Sequence, residues 1–231
     1  MKGDLILKVK NLSVQLGGEK ILENLSFEVK EGEVLTILGP NGAGKTVLLK
    51  TLLGIFPYRG EIIWKKDTKI GYVPQRLAFI KDIPMTVEEF FKLKGVSKKE
   101  TENILKEMGL GKILKKEIGK VSSGQFQRIL IGWALSRNPQ VLLFDEPMTG
   151  IDIKGEESIY SLLGKLKKER NLTILLVTHD LSVIYKFSDY VICLNRYPIC
   201  QGKPREILTP KGLEKLYGQE IKFYQHTHQE S

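Results

Sequence analysis

The chain has 231 residues, of which 42% are apolar and 27% are charged, and its formal net charge is +9. This length supports one globular unit with a substantial core. No apolar run approaches the ~18 residues of a membrane span, the first residues lack a signal-peptide segment, and two cysteines exclude a disulfide framework. We therefore expect an intracellular protein. Its positive charge suits an anionic ligand, nucleic acid or the inner membrane surface, or simply reflects a solvated surface rich in lysine and glutamate.

The first 75 residues carry strand patterns separated by turns. Alternation of apolar and polar residues predicts two strands, and glycines and a proline bracket two short ones further on. The first two strands indicate an antiparallel β layer. A continuous apolar run between the two pairs indicates a buried strand. The predicted strands are 5–12, 21–29, 34–38, 61–64 and 69–73.

A glycine-rich loop follows the apolar run and precedes a leucine-rich helical stretch, 47–53. Glycines let successive backbone N–H groups converge on an anion, and the positive end of the following helix dipole adds to this. A lysine and a threonine at its end suit the β- and γ-phosphates and Mg²⁺ respectively. The pattern therefore predicts a nucleotide phosphate-binding loop. Its residues are Gly39, Pro40, Asn41, Gly42, Ala43, Gly44, Lys45 and Thr46.

Composition changes after residue 75, and residues 76–137 have a helical pattern rich in lysine and glutamate. Between residues 92 and 120, nine lysines stand against four glutamates. One helix starts at Thr86, where Glu89 completes a capping box, a second spans 98–108, and a third follows Ser122. We predict a helical subdomain inserted into an α/β core.

The α/β rhythm returns from residue 141 onwards. Continuous apolar strands at 141–144 and 172–177 alternate with helices at 154–170 and 181–187, and a strand at 190–194 is followed by a short strand that can pair with it, 199–201. This alternation predicts a mainly parallel sheet that is covered on both faces. We expect Cys193 and Cys200 to be reduced and to lie in neighbouring strands.

Two acidic residues, Asp145 and Glu146, end the strand 141–144. At that place in a phosphate-loop protein, Asp145 is positioned to hold Mg²⁺ and Glu146 to polarise a water for attack on the γ-phosphate. A second anion site is indicated at the helix start Ser122, where free amides meet the small residue Gly124.

The chain resembles the ATP-binding subunit of ATP-binding-cassette (ABC) transporters over nearly its whole length. The resemblance is carried by motifs that occur in the family's order. Val121-Ser122-Ser123-Gly124-Gln125 is similar to the family signature, with Val for Leu and Ser123 for Gly. Gln75, which follows Tyr72-Val73-Pro74, is similar to the Q-loop glutamine. The family's D-loop is similar to Pro147-Met148-Thr149-Gly150-Ile151-Asp152. His179, which follows an apolar strand, is similar to the switch histidine.

The resemblance implies a RecA-like phosphate-loop core with an antiparallel β layer, comprising 1–75 and 138–231, and an inserted helical subdomain, 76–137. It implies a homodimer that forms on ATP binding, with the two subunits facing head to tail and ATP sandwiched between them. Glu146 and His179 would be catalytic, and Thr46, Gln75 and Asp145 would surround Mg²⁺. Nucleotide would bind to residues 39–46, Val47 and Leu16; Ser122, Ser123, Gly124, Gln125 and Asp152 would act across the interface.

Two residues depart from the family pattern. Leu16 stands where an aromatic residue often stacks on adenine, so an aliphatic contact would replace the stacking. Ser123 adds a side chain where glycine is usual, and we expect it to be tolerated because it is small.

Four stretches resemble the ATPases of zinc and manganese importers: residues 70–76, 84–87, 191–195 and 200–204. This implies a peripheral location on the cytoplasmic side of the membrane, integral permease subunits as partners, and an extracytoplasmic solute-binding protein as an indirect partner, with no nucleic acid. His226 and His228 near the end give only two of the three or four ligands of a zinc site, so a polar tail is the simpler interpretation.

Three alternatives stay open from the sequence. The first is an ABC ATPase for iron chelates or another small solute. The second is a soluble ABC protein acting on nucleic acid or ribosomes, although the chain has neither tandem cassettes nor a long coiled coil. The third is a module that senses ATP without turnover, against which Glu146 and His179 argue.

Overall fold

The computed structural model describes residues 3–75, 84–146 and 153–218, and places their strands in two sheets. The larger sheet has six strands in the order β5-β6-β7-β3-β8-β9, and only β9 is antiparallel to its neighbour. The smaller is an antiparallel layer in the order β2-β1-β4. The strands are β1 Leu5–Leu16, β2 Glu19–Lys30, β3 Val34–Leu38, β4 Arg59–Trp64, β5 Ile70–Val73, β6 Val141–Asp145, β7 Thr173–Val177, β8 Tyr190–Asn195 and β9 Tyr197–Gly202.

The three central strands β3, β6 and β7 are buried at every residue, as their continuous apolar sequences predict. Helices cover the sheet: α1 Lys45–Leu52, α2 Val87–Lys92, α3 Lys98–Glu107, α4 Ser123–Leu135, α5 Ile153–Arg170, α6 Leu181–Phe187, α7 Pro204–Ile207 and α8 Pro210–Tyr217, with a 3-10 helix at Ile118–Lys120. The predicted mainly parallel α/β core with an antiparallel layer is thereby confirmed. Helices α7 and α8 were not predicted.

Three helices between residues 84 and 137 begin with capping boxes. Thr86 caps α2 with Glu89, Ser97 caps α3 with Glu100, and Ser122 caps α4 with Gln125. The described residues between 84 and 137 contain these helices and no strand longer than the single bridge between Thr86 and Glu117. The boundaries of a separate helical subdomain stay a prediction.

The core falls into three clusters of buried side chains. One joins the helices α2–α5 to one face of the large sheet, and a second joins the opposite face to α1 and the antiparallel layer. The third packs the last helices against β8 and β9. Within the described parts of the chain, no helix is both long and apolar enough to cross a membrane.

Cys193 and Cys200 lie opposite each other on β8 and β9 and are joined by a disulfide. Their place in neighbouring strands was predicted, but the expectation that they are reduced was wrong. The two Cα atoms are 4.9 Å apart, a distance that a disulfide spans without backbone movement. The pairing register that creates this proximity includes a shift between Cys193 and Leu194, which the sequence does not reveal.

The turn between these two strands is tied to both neighbouring layers through its backbone. Arg196 adopts a left-handed conformation, with φ of 63°. Its N–H donates to the carbonyl oxygen of Ala43 at 3.1 Å, and its carbonyl oxygen accepts from the N–H of Glu23 at 2.8 Å. One residue therefore links the glycine-rich loop to the antiparallel layer.

Candidate functional site

A cavity of about 950 Å³ opens at the carboxyl ends of the central strands. This is where α/β sheets bind ligands, because the loops that leave parallel strands converge there. All eight residues of the predicted phosphate loop line it, together with the adjoining Val47 and one residue from each of five other segments. The lining is Ile21, Gly39, Pro40, Asn41, Gly42, Ala43, Gly44, Lys45, Thr46, Val47, Gln75, Glu146, His179 and Tyr217.

The loop can adopt its path because of glycines at two positions. Gly44 precedes α1 with φ of 93°, a left-handed conformation that other residues rarely adopt. Gly39 follows β3 so closely that an added Cβ would lie 2.1 Å from the carbonyl oxygen of Leu194. Between them, the loop passes against β8 and then turns into the first helix.

Lys45 is the first residue of α1 and is almost fully buried. Its ammonium donates to the carbonyl oxygens of Gly39 at 2.9 Å and Pro40 at 3.0 Å, and lies 3.2 Å from Glu146 Oε1. The loop thus folds around its own lysine, and Glu146 neutralises the charge of that lysine.

Glu146 follows β6 and adopts φ of 40°. Its N–H donates to the carbonyl oxygen of Val177 at 3.1 Å, which holds the residue between β6 and β7. Its second carboxylate oxygen accepts from Gln75 Nε2 at 2.7 Å. The end of β5 therefore meets the end of β6 through two side chains that the sequence had singled out.

Asp145 is the last residue of β6 and is 1% exposed. The hydroxyl of Thr46 donates to its Oδ1 at 3.0 Å, and the hydroxyl of Tyr72 donates to its Oδ2 at 3.2 Å. Burial raises the pKa of Asp145, and the two hydroxyl donors oppose this only in part. Burial and the same carboxylate also raise the pKa of Tyr72.

The oxygens around Asp145 fit a magnesium ion. Mg²⁺ prefers hard oxygen ligands, usually one or two from the protein with the rest from water and phosphate. Thr46 and Asp145 supply a hydroxyl and a carboxylate at hydrogen-bonding distance beside the phosphate loop. Gln75 lines the same cavity, but its described contact is the amide donation to Glu146.

His179 is exposed and lines the cavity just after β7. The next residue, Asp180, caps α6 by accepting from the N–H groups of Ser182 and Val183. This cap starts the helix immediately after the histidine, and so the imidazole stands at a strand-to-helix turn on the rim of the cavity.

The four signature residues lie elsewhere in the described structure. Ser122 accepts from the N–H of Gln125 at 3.2 Å, and Gln125 accepts from the N–H of Ser122 at the same distance. Gly124 has open space around its Cα, and Ser123 is exposed. None of these residues lines the cavity of the described chain. The predicted residue Asp152, like His226 and His228, lies outside the described residues.

Leu16 ends β1, is half-buried and packs against the core of the antiparallel layer, but the cavity is lined by Ile21 of the neighbouring strand instead. Two further residues were missed as site residues: Tyr72, which contacts Asp145, and Tyr217, which lines the cavity. The position of Tyr72 one strand away from Asp145 could have suggested the first, because neighbouring parallel strands end at the same edge.

Comparison with known proteins agrees with this geometry. Residues 22–149 match the family model described as ABC transporter. A zinc import ATP-binding protein ZnuC from Magnetococcus marinus is 40% identical, covering 97% of this chain and 89% of that protein. The ZnuC protein of Pseudomonas syringae pv. syringae is 35% identical, covering 97% and 88%.

Two solved structures show the same fold. One is an inward-facing ABC transporter assigned to the metal-chelate type, with a TM-score of 0.83, 27% identity, and coverage of 93% of this chain and 89% of that one. The other is cbiO1 from Clostridium perfringens, part of the transporter complex cbiONQ, with a TM-score of 0.79, 30% identity, and coverage of 91% and 93%. The chain therefore belongs to the ABC transporter family, as an ATP-binding subunit with ATPase activity.

Proposed function

We propose that this chain hydrolyses ATP to power a membrane importer for zinc, with manganese as the related cargo. The observation that carries the ATPase role is the meeting of Lys45, Gln75, Glu146 and His179 in one cavity formed by the phosphate loop. The zinc assignment rests on relatives of 33–40% identity that are named zinc import ATP-binding proteins. Permease subunits in the membrane follow from membership of an importer.

In the proposed reaction, the loop amides and Lys45 bind the β- and γ-phosphates, and Val47 contributes a further nucleotide contact. The nucleotide contact expected of Leu16 stays a prediction, because Leu16 does not line the cavity. Thr46, Asp145 and Gln75 would hold Mg²⁺, which supplies positive charge beside the phosphates. When phosphate oxygens take over the Lys45 ammonium, Glu146 loses its ion pair with that lysine. Its carboxylate, which also accepts from Gln75, would then orient and deprotonate a water, and His179 would contact the γ-phosphate from the rim.

The cavity is one half of the proposed working site. The signature residues Ser122, Ser123, Gly124 and Gln125 are held by a capping box away from the cavity, which supports their use by a second copy of the chain. That copy would also contribute Asp152. A homodimer formed on ATP binding follows, and an isolated monomer binds ATP but hydrolyses it poorly. Specific activity that stays constant on dilution through the range of dimer dissociation would contradict this.

The dimer would sit on the cytoplasmic side of the membrane, peripheral to the permease. The lysine-rich region, 92–120, suits a surface facing the permease, since nine lysines exceed four glutamates there. An extracytoplasmic solute-binding protein would act through the permease only, and nucleic acid has no role. Charge reversal at several exposed lysines of this region should weaken permease association and spare soluble ATPase activity.

The cargo is tested by deleting the gene in its own host and limiting one metal at a time. Under zinc chelation, we expect a growth defect that the native gene rescues and a Glu146→Gln gene does not. Equal growth of the deletion strain and its parent under zinc limitation would contradict zinc import. Parallel cultures limited in manganese separate the two related cargoes.

Iron chelates are the second candidate cargo, favoured by the likeness to the transporter assigned to the metal-chelate type. Cultures supplied with iron only as a chelate address it within the same experiment. A growth defect confined to those cultures would assign the chain to chelate import. The growth experiment makes this distinction because the ATPase site is common to both classes of importer.

A further inference from the structure

Tyr217 reaches the nucleotide cavity from the last described helix. It is the final residue of α8 and lines the same cavity as Glu146 and His179, although it lies 38 positions after the histidine in the sequence. The side chain is half-buried. An aromatic residue with a hydroxyl group therefore lines the cavity that holds the two proposed catalytic side chains, close enough to Glu146 for the charge of that residue to act on it.

Helix α8 is held in a defined position by its cap and by packing against the rest of the fold, and this fixes the place of Tyr217. Thr209 caps the helix by accepting from the N–H of Gly212 at 3.2 Å. An added Cβ at Gly212 would lie 2.2 Å from the carbonyl oxygen of Ile207, which shows how closely α7 and α8 approach. Leu213 and Leu216 are buried against β8 and β9. Tyr217 lies one helical turn beyond Leu213, on the same side of the helix.

The chemistry of the hydroxyl suits a phosphate. Burial raises the pKa of Tyr217, and the negative charge of Glu146 raises it further, so the phenol is neutral at physiological pH. A neutral phenol can donate a hydrogen bond to an anion. Two other residues that line the cavity are Glu146, whose carboxylate cannot donate when ionised, and His179, which carries an imidazole.

We propose that Tyr217 is a substrate-contacting residue of the ATPase, and that its hydroxyl donates a hydrogen bond to the terminal phosphate of bound ATP. The inference rests on the nucleotide site proposed above and extends it to the C-terminal helix. ADP lacks the γ-phosphate, which is the terminal phosphate of ATP, and so the contact discriminates between substrate and product. Tyr217 would thereby make the site bind ATP more tightly relative to ADP.

The test is titration calorimetry of the full chain with ATP and with ADP, in EDTA so that ATP is not consumed. Tyr217→Phe keeps the ring and removes the hydroxyl. We expect about tenfold weaker ATP binding, as for loss of a hydrogen bond to a charged group, and ADP affinity within about twofold of the native value. Equal effects on ATP and ADP, or no effect on either, would overturn the proposal.

A matched control is Tyr185→Phe. The Tyr185 hydroxyl donates to the carbonyl oxygen of Leu208 at 2.8 Å in the same part of the fold, and Tyr185 does not line the cavity. This variant should lower the melting temperature slightly and leave the ratio of ATP to ADP affinity unchanged. Lys45→Ala reports separately on the nucleotide site. If this variant binds ATP as tightly as the native protein, the proposed nucleotide site is wrong. If Lys45→Ala abolishes ATP binding while Tyr217→Phe leaves the ATP affinity unchanged, only the role of Tyr217 is refuted.

Discussion

Replacing Glu146 by glutamine should tighten ATP binding while it removes turnover. The Lys45 ammonium lies 3.2 Å from Glu146 Oε1, and both side chains are largely buried. ATP must take this ammonium for its phosphates. The carboxylate competes with the substrate for the lysine and also repels the incoming phosphate charge.

The magnitude follows from the distance. Two unit charges 3.2 Å apart interact by about 5 kcal/mol at an effective dielectric constant of about 20. Glutamine keeps a polar contact with Lys45, so the variant recovers only part of this interaction energy for ATP binding. Hydrogen bonds to charged groups contribute about 1.5–3 kcal/mol net, and we take the lower end of that range as the gain in the free energy of ATP binding. About 1.5 kcal/mol corresponds to roughly tenfold tighter binding of ATP.

The assay is calorimetric titration with ATP in EDTA, where hydrolysis does not interfere. Glu107→Gln is the control, because Glu107 also pairs with a cation, Arg170, and lies outside the cavity. Its ATP affinity should equal that of the native protein. If Glu146→Gln binds ATP no more tightly than the native protein, the competition between carboxylate and phosphate for Lys45 is refuted.

Two further predictions concern stability. Burial raises the pKa of Asp145 in the folded protein above its value in the unfolded chain, which is about 4. The folded state therefore loses stability as pH rises from about 4 through the raised pKa, because the buried carboxylate becomes charged. Asp145→Asn should therefore melt above the native protein at pH 8, with a difference that shrinks as pH falls through the raised pKa; a difference independent of pH would contradict this. Gly39→Ala places a Cβ 2.1 Å from the Leu194 carbonyl oxygen and should cost about 2 kcal/mol, or roughly 4–8 °C in Tm. The same change at Gly124, which has open space, should leave Tm within about 2 °C, and equal Tm values for the two variants would refute the steric argument.

Local signals in the sequence predicted most of the core. The apolar runs of β3, β6 and β7 and the capping boxes of α2 and α4 each depend on a few neighbouring residues, so their chemistry is visible without the fold. The meeting of Lys45 and Glu146 was foreseeable in the same way. Both follow buried parallel strands, and the carboxyl ends of such strands share one edge.

Most contributions of the C-terminal part could not be predicted from the sequence. Helix α7 has only four residues, too few for apolar periodicity to identify it. Helix α8 has a local start signal, Thr209 followed by Pro210, which was missed. Tyr217 reaches the cavity only because β8, β9 and α8 pack together. Likewise, the cavity is lined by Ile21 instead of Leu16 because of the register and twist of the β1–β2 hairpin, which carry no local signature.

The link made by Arg196 has a consequence for how this protein can vary between species. Its two contacts, to Ala43 and Glu23, use only backbone atoms. Almost any side chain that tolerates a left-handed conformation can make them, so related sequences need not agree at this position. Inserting or deleting one residue in the turn would break both contacts. Selection here would preserve the length of the hairpin and not the identity of the residue at its turn.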